Sequence, residues 1–202
     1  MPHLAVPPRA YLLPSAAVNY EDPSVALLAS KLKRDTLSGT VKSCFEWVRD
    51  NIKHSSDFEL NPVTWRASDV LTHGTGYCFA KSHLLAALLR ANGVAAGFCY
   101  QRLRDGDRFL LHGLNAVWFS DIGWYRLDPR GNKPGVDAQF HPPVERLAWA
   151  MEFPGEVLLP EVWPEPLPIV LDALAAATDW EDFLATKIPD IEVALGDPSR
   201  SG

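Results

Sequence analysis

The sequence predicts an α+β fold in which helices come first and an antiparallel sheet follows. Three observations carry that prediction. Helical apolar spacing dominates from about residue 22 to 92, a wide leucine stripe with alanines elsewhere marks one helix as buried, and the strand candidates after it are joined by short turns. Helices and strands are thus segregated along the chain, and N-terminal helices with a central buried helix should pack on an antiparallel sheet.

The elements follow in order. Residues 1–21 read as an extended, proline-marked lead-in. Asp22-Pro23 is a helix start, because aspartate caps free N–H groups and proline fits the first helical position; this helix should run to about Arg34. A second helix is expected from about Val41 to Ile52, with Val41, Cys44, Phe45, Val48 and Ile52 on one face. A polar loop, His54 to Asp57, precedes a short helix with Ser68 as candidate cap and Gly74 as stop. Gly74-Thr75-Gly76-Tyr77-Cys78 then leads into the central helix, which Gly93 ends. Val94–Leu103, Phe109–Phe119 and Gly123–Asp128 are the strand candidates. Beyond about Asn132 the chain is proline-punctuated, and Thr178-Asp179-Trp180-Glu181 reads as a capping box for a last short helix. The expected organisation is a core at 1–134, including the lead-in, and a Pro-rich extension at 135–202 with short helices packed on that core.

Composition narrows the function. The 202 residues are 47% hydrophobic and 22% charged, as in a folded globular protein, and the net charge is −6. An acidic chain lacks the basic field that nucleic acid or anionic membrane binding needs, so neither partner is expected. No apolar run approaches membrane-spanning length, and Met1 to Pro8 lacks a secretory pattern. The 3 cysteines, Cys44, Cys78 and Cys99, are widely spaced and suit free thiols in a reducing compartment, hence a cytoplasmic location. Neither zinc-binding spacing nor a phosphate-cradling glycine loop is present, so no metal and no cofactor are expected.

Cys78 stands where a glycine-loosened turn meets a long helix. Free N–H groups at a helix start stabilise a thiolate and can later donate to an oxyanion. Cys44, on a helix face, and Cys99, inside a strand, read as small buried hydrophobes. Of the 6 histidines, His3, His54, His73, His83 and His141 fall in the lead-in, a loop, helices or beside prolines, whereas His112 lies in a strand. The paired strand ends at Asp128. A two-residue turn at Asp121-Ile122 would put His112 and Asp128 on opposite faces, because strand side chains alternate. A three-residue loop, Ser120 to Ile122, pairs Trp118 with Trp124 and Ala116 with Arg126, and brings the two to one face as diagonal neighbours. A catalytic Cys–His–Asp set therefore requires the longer loop or a bulge.

The ordered pieces Ala67-Ser68-Asp69-Val70-Leu71, Gly76-Tyr77-Cys78, Leu84 to Gly93, His112, Gly123-Trp124 and Asp128-Pro129 resemble the transglutaminase-like superfamily in its bacterial, stand-alone form. The resemblance covers somewhat under half the chain. It implies a papain-like core with Cys78 as nucleophile, His112 as general base and acid, and Asp128 as its orienting group. Two departures bear on substrate choice: Tyr77 stands where many relatives carry an acidic residue, and Leu114 stands where many carry tryptophan. Trp65 (through its indole N–H), Tyr77 and Asn115 are candidates for contacting substrate or an oxyanion, although a loop tryptophan equally suits covering the core. The expected function is cysteine-dependent hydrolysis of amide bonds in a protein, peptide or other amide substrate, through a thioester. Acyl transfer to an amine, or a non-catalytic binding domain that keeps the fold, are the alternatives.

Overall fold

The computed structural model describes residues 7–191. The first six residues of the lead-in, His3 among them, and residues 192–202 of the extension lie outside the described residues. The rest of the lead-in is not wholly extended: Arg9–Leu12 form a 3-10 turn, tied down where the Tyr11 hydroxyl donates to the Val162 carbonyl at 2.7 Å.

Helix α1 spans Pro23–Leu32, and the Asp22 carboxylate accepts from Ser24 N–H as its cap. Helix α2 spans Leu37–Asn51 and begins four residues before the expected start. The Thr36 hydroxyl accepts from Gly39 N–H at 3.0 Å and so satisfies a free donor of the first turn, which outweighs the poor helix propensity of Gly39 and Thr40. Strand β1 (Lys53–His54) and the one-turn α3 (Ser55–Phe58) replace the predicted loop. Helix α4 is Ala67–His73. Ser68 lies inside it rather than capping it; its N–H instead donates to the Asn19 side chain at 3.1 Å, a cap supplied from far along the chain. Gly74 ends α4 in the left-handed region at φ 65°. Strand β2, Thr75–Gly76, pairs in parallel with β1.

Helix α5, Cys78–Ala91, is buried from Cys78 through Arg90 and packs against α1, α2, α4 and the sheet. Full burial explains why leucines and alanines surround it instead of forming one stripe. The sheet is antiparallel in the order β5-β4-β3-β8, built from β3 (Ala96–Asp105), β4 (Arg108–Phe119), β5 (Gly123–Leu127) and β8 (Val157–Leu158). Between β5 and β8 in sequence lies the small hairpin β6 (Gln139–His141) and β7 (Val144–Arg146). The β4–β5 register pairs Trp118 with Trp124 and Ala116 with Arg126, across a three-residue connection. This is the odd loop that one-face placement of His112 and Asp128 requires.

The extension continues as α6 (Pro168–Ala176) and α7 (Trp180–Asp182), followed by a π-helical turn, Phe183–Lys187. The capping box sits one residue later than predicted: Asp179 accepts from Asp182 N–H at 2.9 Å, and Asp182 accepts from Thr178 N–H at 3.1 Å. Val170, Leu174 and Phe183 are fully buried in the same core as α5.

Candidate active site

Cys78 is the first residue of α5, with Tyr77 in extended conformation before it. Gly113 N–H on β4 points at Cys78 Sγ from 3.5 Å. That approach needs a glycine: a Cβ on residue 113 would stand 2.6 Å from the Phe79 ring. The helix start and the inner strand β4 therefore approach each other through the absence of one side chain.

His112 Nε2 donates to Asp128 Oδ2 at 2.7 Å, with both residues buried. Asp128 is also held by Ala148 N–H and Arg130 N–H, each at 3.1 Å. Burial alone would raise the Asp128 carboxyl, but the His112 charge and these hydrogen bonds keep it below its ordinary range. Burial likewise works against a charged His112; the Asp128 carboxylate and the Cys78 sulfur outweigh it and push the imidazole up to about 10. With Nε2 committed to Asp128, Nδ1 is the nitrogen left for the sulfur. A thiol and an imidazole so arranged can share a proton, which is what nucleophilic chemistry by a cysteine requires.

Cys78 and His112 line a cleft of about 720 Å³ whose wall includes Leu103, Leu110, Trp149, Phe153 and Ile188, with Asp137 and Glu152 among its charged residues. Cys44 and Cys99 lie fully buried elsewhere, and burial pushes each thiol up to about 12. They take the core role the sequence assigned to them.

The remaining candidates separate. Tyr77 lines the cleft while its hydroxyl donates to the Trp180 carbonyl. Trp65 does not line it; its carbonyl accepts from His83 Nδ1 at 2.6 Å, and its ring lies beneath the Arg66 guanidinium. Asn115 is also away from the cleft. It sits on the alternate face of β4 from His112, and its amide donates to the Ser82 and Gly97 carbonyls at 3.0 and 3.2 Å, which ties α5 to β3. Strand alternation is the reason: residues 113 and 115 face together, so Asn115 bonds to the helix rather than to a substrate.

Sequence reasoning missed three contributors. His54 lines the cleft although it read as a loop residue; the two-residue strand that places it is too short to leave a periodic signal. Lys81, fully buried one turn after Cys78, donates to the Ile52 carbonyl and to the Arg49 carbonyl at 3.3 Å, the free acceptors at the end of α2. Arg130 makes a two-pronged pair with Asp57 at 2.7 and 2.9 Å beside the cleft. A lysine in the first turn of a helix expected to be buried was a visible signal; the other two depend on distant partners.

The family model of the transglutaminase-like superfamily matches residues 27–129, just over half of the chain. This chain belongs to that superfamily. The matched stretch runs from within α1 to the residue after Asp128, and so contains Cys78, His112 and Asp128. Among solved structures, a cysteine-protease candidate from Cytophaga hutchinsonii is 21% identical over 59% of this chain and 40% of its own, with a TM-score of 0.49. The periplasmic domain of TgpA from Pseudomonas aeruginosa is 21% identical over 62% of this chain and 48% of its own, with a TM-score of 0.46. The chain thus spans less than half the length of either. No curated protein matches it significantly. Among the described residues no helix is long and apolar enough to cross a membrane.

Proposed function

We propose that this transglutaminase-like protein is a cysteine-dependent amidase or peptidase that works through a thioester. The observation that carries the reading is a cysteine at a helix start and an imidazole on the wall of one cleft, with a buried carboxylate behind the imidazole, 2.7 Å from its far nitrogen. The thiolate of Cys78 attacks the amide carbon, and the C=O π pair moves onto oxygen. Collapse re-forms the carbonyl and breaks the C–N bond, and His112 gives its proton to the departing amine. His112 then takes a proton from water as the water attacks the thioester, and collapse breaks the C–S bond to release the acid and return the Cys78 thiolate beside a protonated His112. Asp128 holds the imidazole ring in one orientation and stabilises its charged form throughout.

The test is a competition among the protein's own thiols. With limiting iodoacetamide at pH 5.5, Cys78 should label preferentially, and His112→Ala should abolish the preference. Equal, slow labelling of all three cysteines would instead identify a binding domain that keeps the fold. A primary amine added to a turning-over reaction separates water from amine as the acyl acceptor, by the mass of the product.

A further inference from the structure

Attack on a carbonyl leaves negative charge on its oxygen, and a site needs donors aimed at that charge. Helix α5 offers the Cys78 N–H. Trp65, the sequence's candidate for a second donor, is not among the cleft-lining residues. A different residue is placed where Trp65 is not. The parallel bridge between β1 and β2 pairs His54 with Gly76, so this histidine runs alongside the turn that delivers Cys78. Its ring stands edge-on to Tyr77, with centroids 5.4 Å apart, and it lines the same cleft as Cys78. The Nδ1 atom shares a hydrogen bond with Ser56 Oγ at 3.0 Å. Among the described residues, Nε2 has no hydrogen-bond partner, although His54 is only 7% exposed.

We propose that His54 is a catalytic residue of this site, its Nε2–H serving with Cys78 N–H as the oxyanion donor pair. The proposal rests on the thioester mechanism above and adds the donor that mechanism lacks. The role takes the tautomer in which the Ser56 hydroxyl donates to Nδ1 and the proton stands on Nε2. Burial, reinforced by the Arg130 cation and opposed by Asp57, holds the ring well below its ordinary pKa and therefore neutral. Neutrality suits the role, because a neutral N–H donates to an oxyanion without also pairing with the resting thiolate. It also separates the two histidines of the cleft: His112 is kept charged by a carboxylate, and His54 is kept neutral by burial and surrounding cations.

Two reactions of Cys78 distinguish this role from any other. Alkylation by iodoacetamide forms an S–C bond at a saturated carbon and develops no oxyanion, so it reports the thiolate alone. Acylation by p-nitrophenyl acetate forms a tetrahedral oxyanion and reports both. His54→Ala should leave alkylation within about twofold of the parent while slowing the nitrophenolate burst about 10²-fold. His54→Gln, which restores an N–H, should recover much of the burst. Equal bursts in parent and His54→Ala would overturn the proposal. So would a parallel loss of alkylation and acylation, which would make His54 a support for the thiolate or the fold. Failure of the parent itself to alkylate at Cys78 would reject the thioester reading and this inference with it, and is recognisable because it precedes any substitution at His54.

Discussion

Gly113 shows how one missing side chain can set a reaction distance. Phe79 Cδ1 and Cε1 lie 2.6 and 3.2 Å from where a Cβ would stand, so Gly113→Ala must move either the ring or the strand. The strand carries His112 and the ring follows Cys78 in sequence, so either movement separates sulfur from imidazole. We expect a stability loss of about 1–3 kcal/mol by urea denaturation and a fall in the Cys78 alkylation rate of about tenfold or more. An unchanged rate would show that the approach is incidental. His112 gives a second prediction at this scale. Its raised pKa means that the folded state holds a proton the unfolded chain would lose, so the contribution is fully present below about pH 6.5 and disappears as pH rises through about 10. Asp128→Asn removes the strongest influence that opposes burial. The His112 titration, followed by NMR or as the alkaline limb of acylation, should then move well below its position in the parent. If it stays in place, Asp128 is not what keeps the ring charged.

Among elements, α5 and α2 are locked by Lys81, which spans from the buried helix to the carbonyls that end α2. Burial is the main influence that lowers this amine to about 7, with Arg130 adding to it and Asp128, Asp50 and Asp57 opposing. Between that pH and the ordinary lysine pKa the folded state binds fewer protons than the unfolded chain, so this group makes stability rise with pH. Across much of the same window His112 makes stability fall. The two contributions oppose each other in the parent. Lys81→Met should uncover the His112 slope, with urea midpoints declining from pH 7 to pH 9 more steeply than in the parent. An unaltered slope would mean that the amine does not titrate in that range. The hairpin β4–β5 is the other element that matters for the site, and its one decisive feature is loop length. Three residues put His112 and Asp128 on one face, and two would have parted them.

At the scale of the molecule, the extension takes part in building the site. Ala148 N–H holds Asp128, Trp149 stacks on Arg130 at 5.5 Å, and the Pro189 carbonyl accepts from Leu111 N–H beside His112. Phe183 fills the space between Tyr77 and Phe79, with ring centroids 4.3 and 6.3 Å away, on both sides of the nucleophile in sequence. Phe183→Ala should cost about 3–5 kcal/mol of stability, and Cys78 alkylation should slow under conditions where the variant remains folded. Loss of stability without any change in alkylation would confine Phe183 to a packing role.

Local physics made much of this legible from residue order. Asp22-Pro23 starts a helix because a cap and a fixed φ need no distant partner; Gly74 ends one because a left-handed residue disfavours a side chain. Alternation along β4 and β5 set the condition that His112 and Asp128 share a face only across an odd loop or a bulge, and the three-residue connection of the structure meets it. Tertiary structure decided the rest, because the interactions concerned join residues far apart in sequence. Asn19 caps α4, Ser82 claims Asn115, His83 claims the Trp65 carbonyl, and a two-residue parallel bridge carries His54 to the cleft. Periodicity records which face a residue occupies, and it holds no record of which distant donor or acceptor will be waiting there.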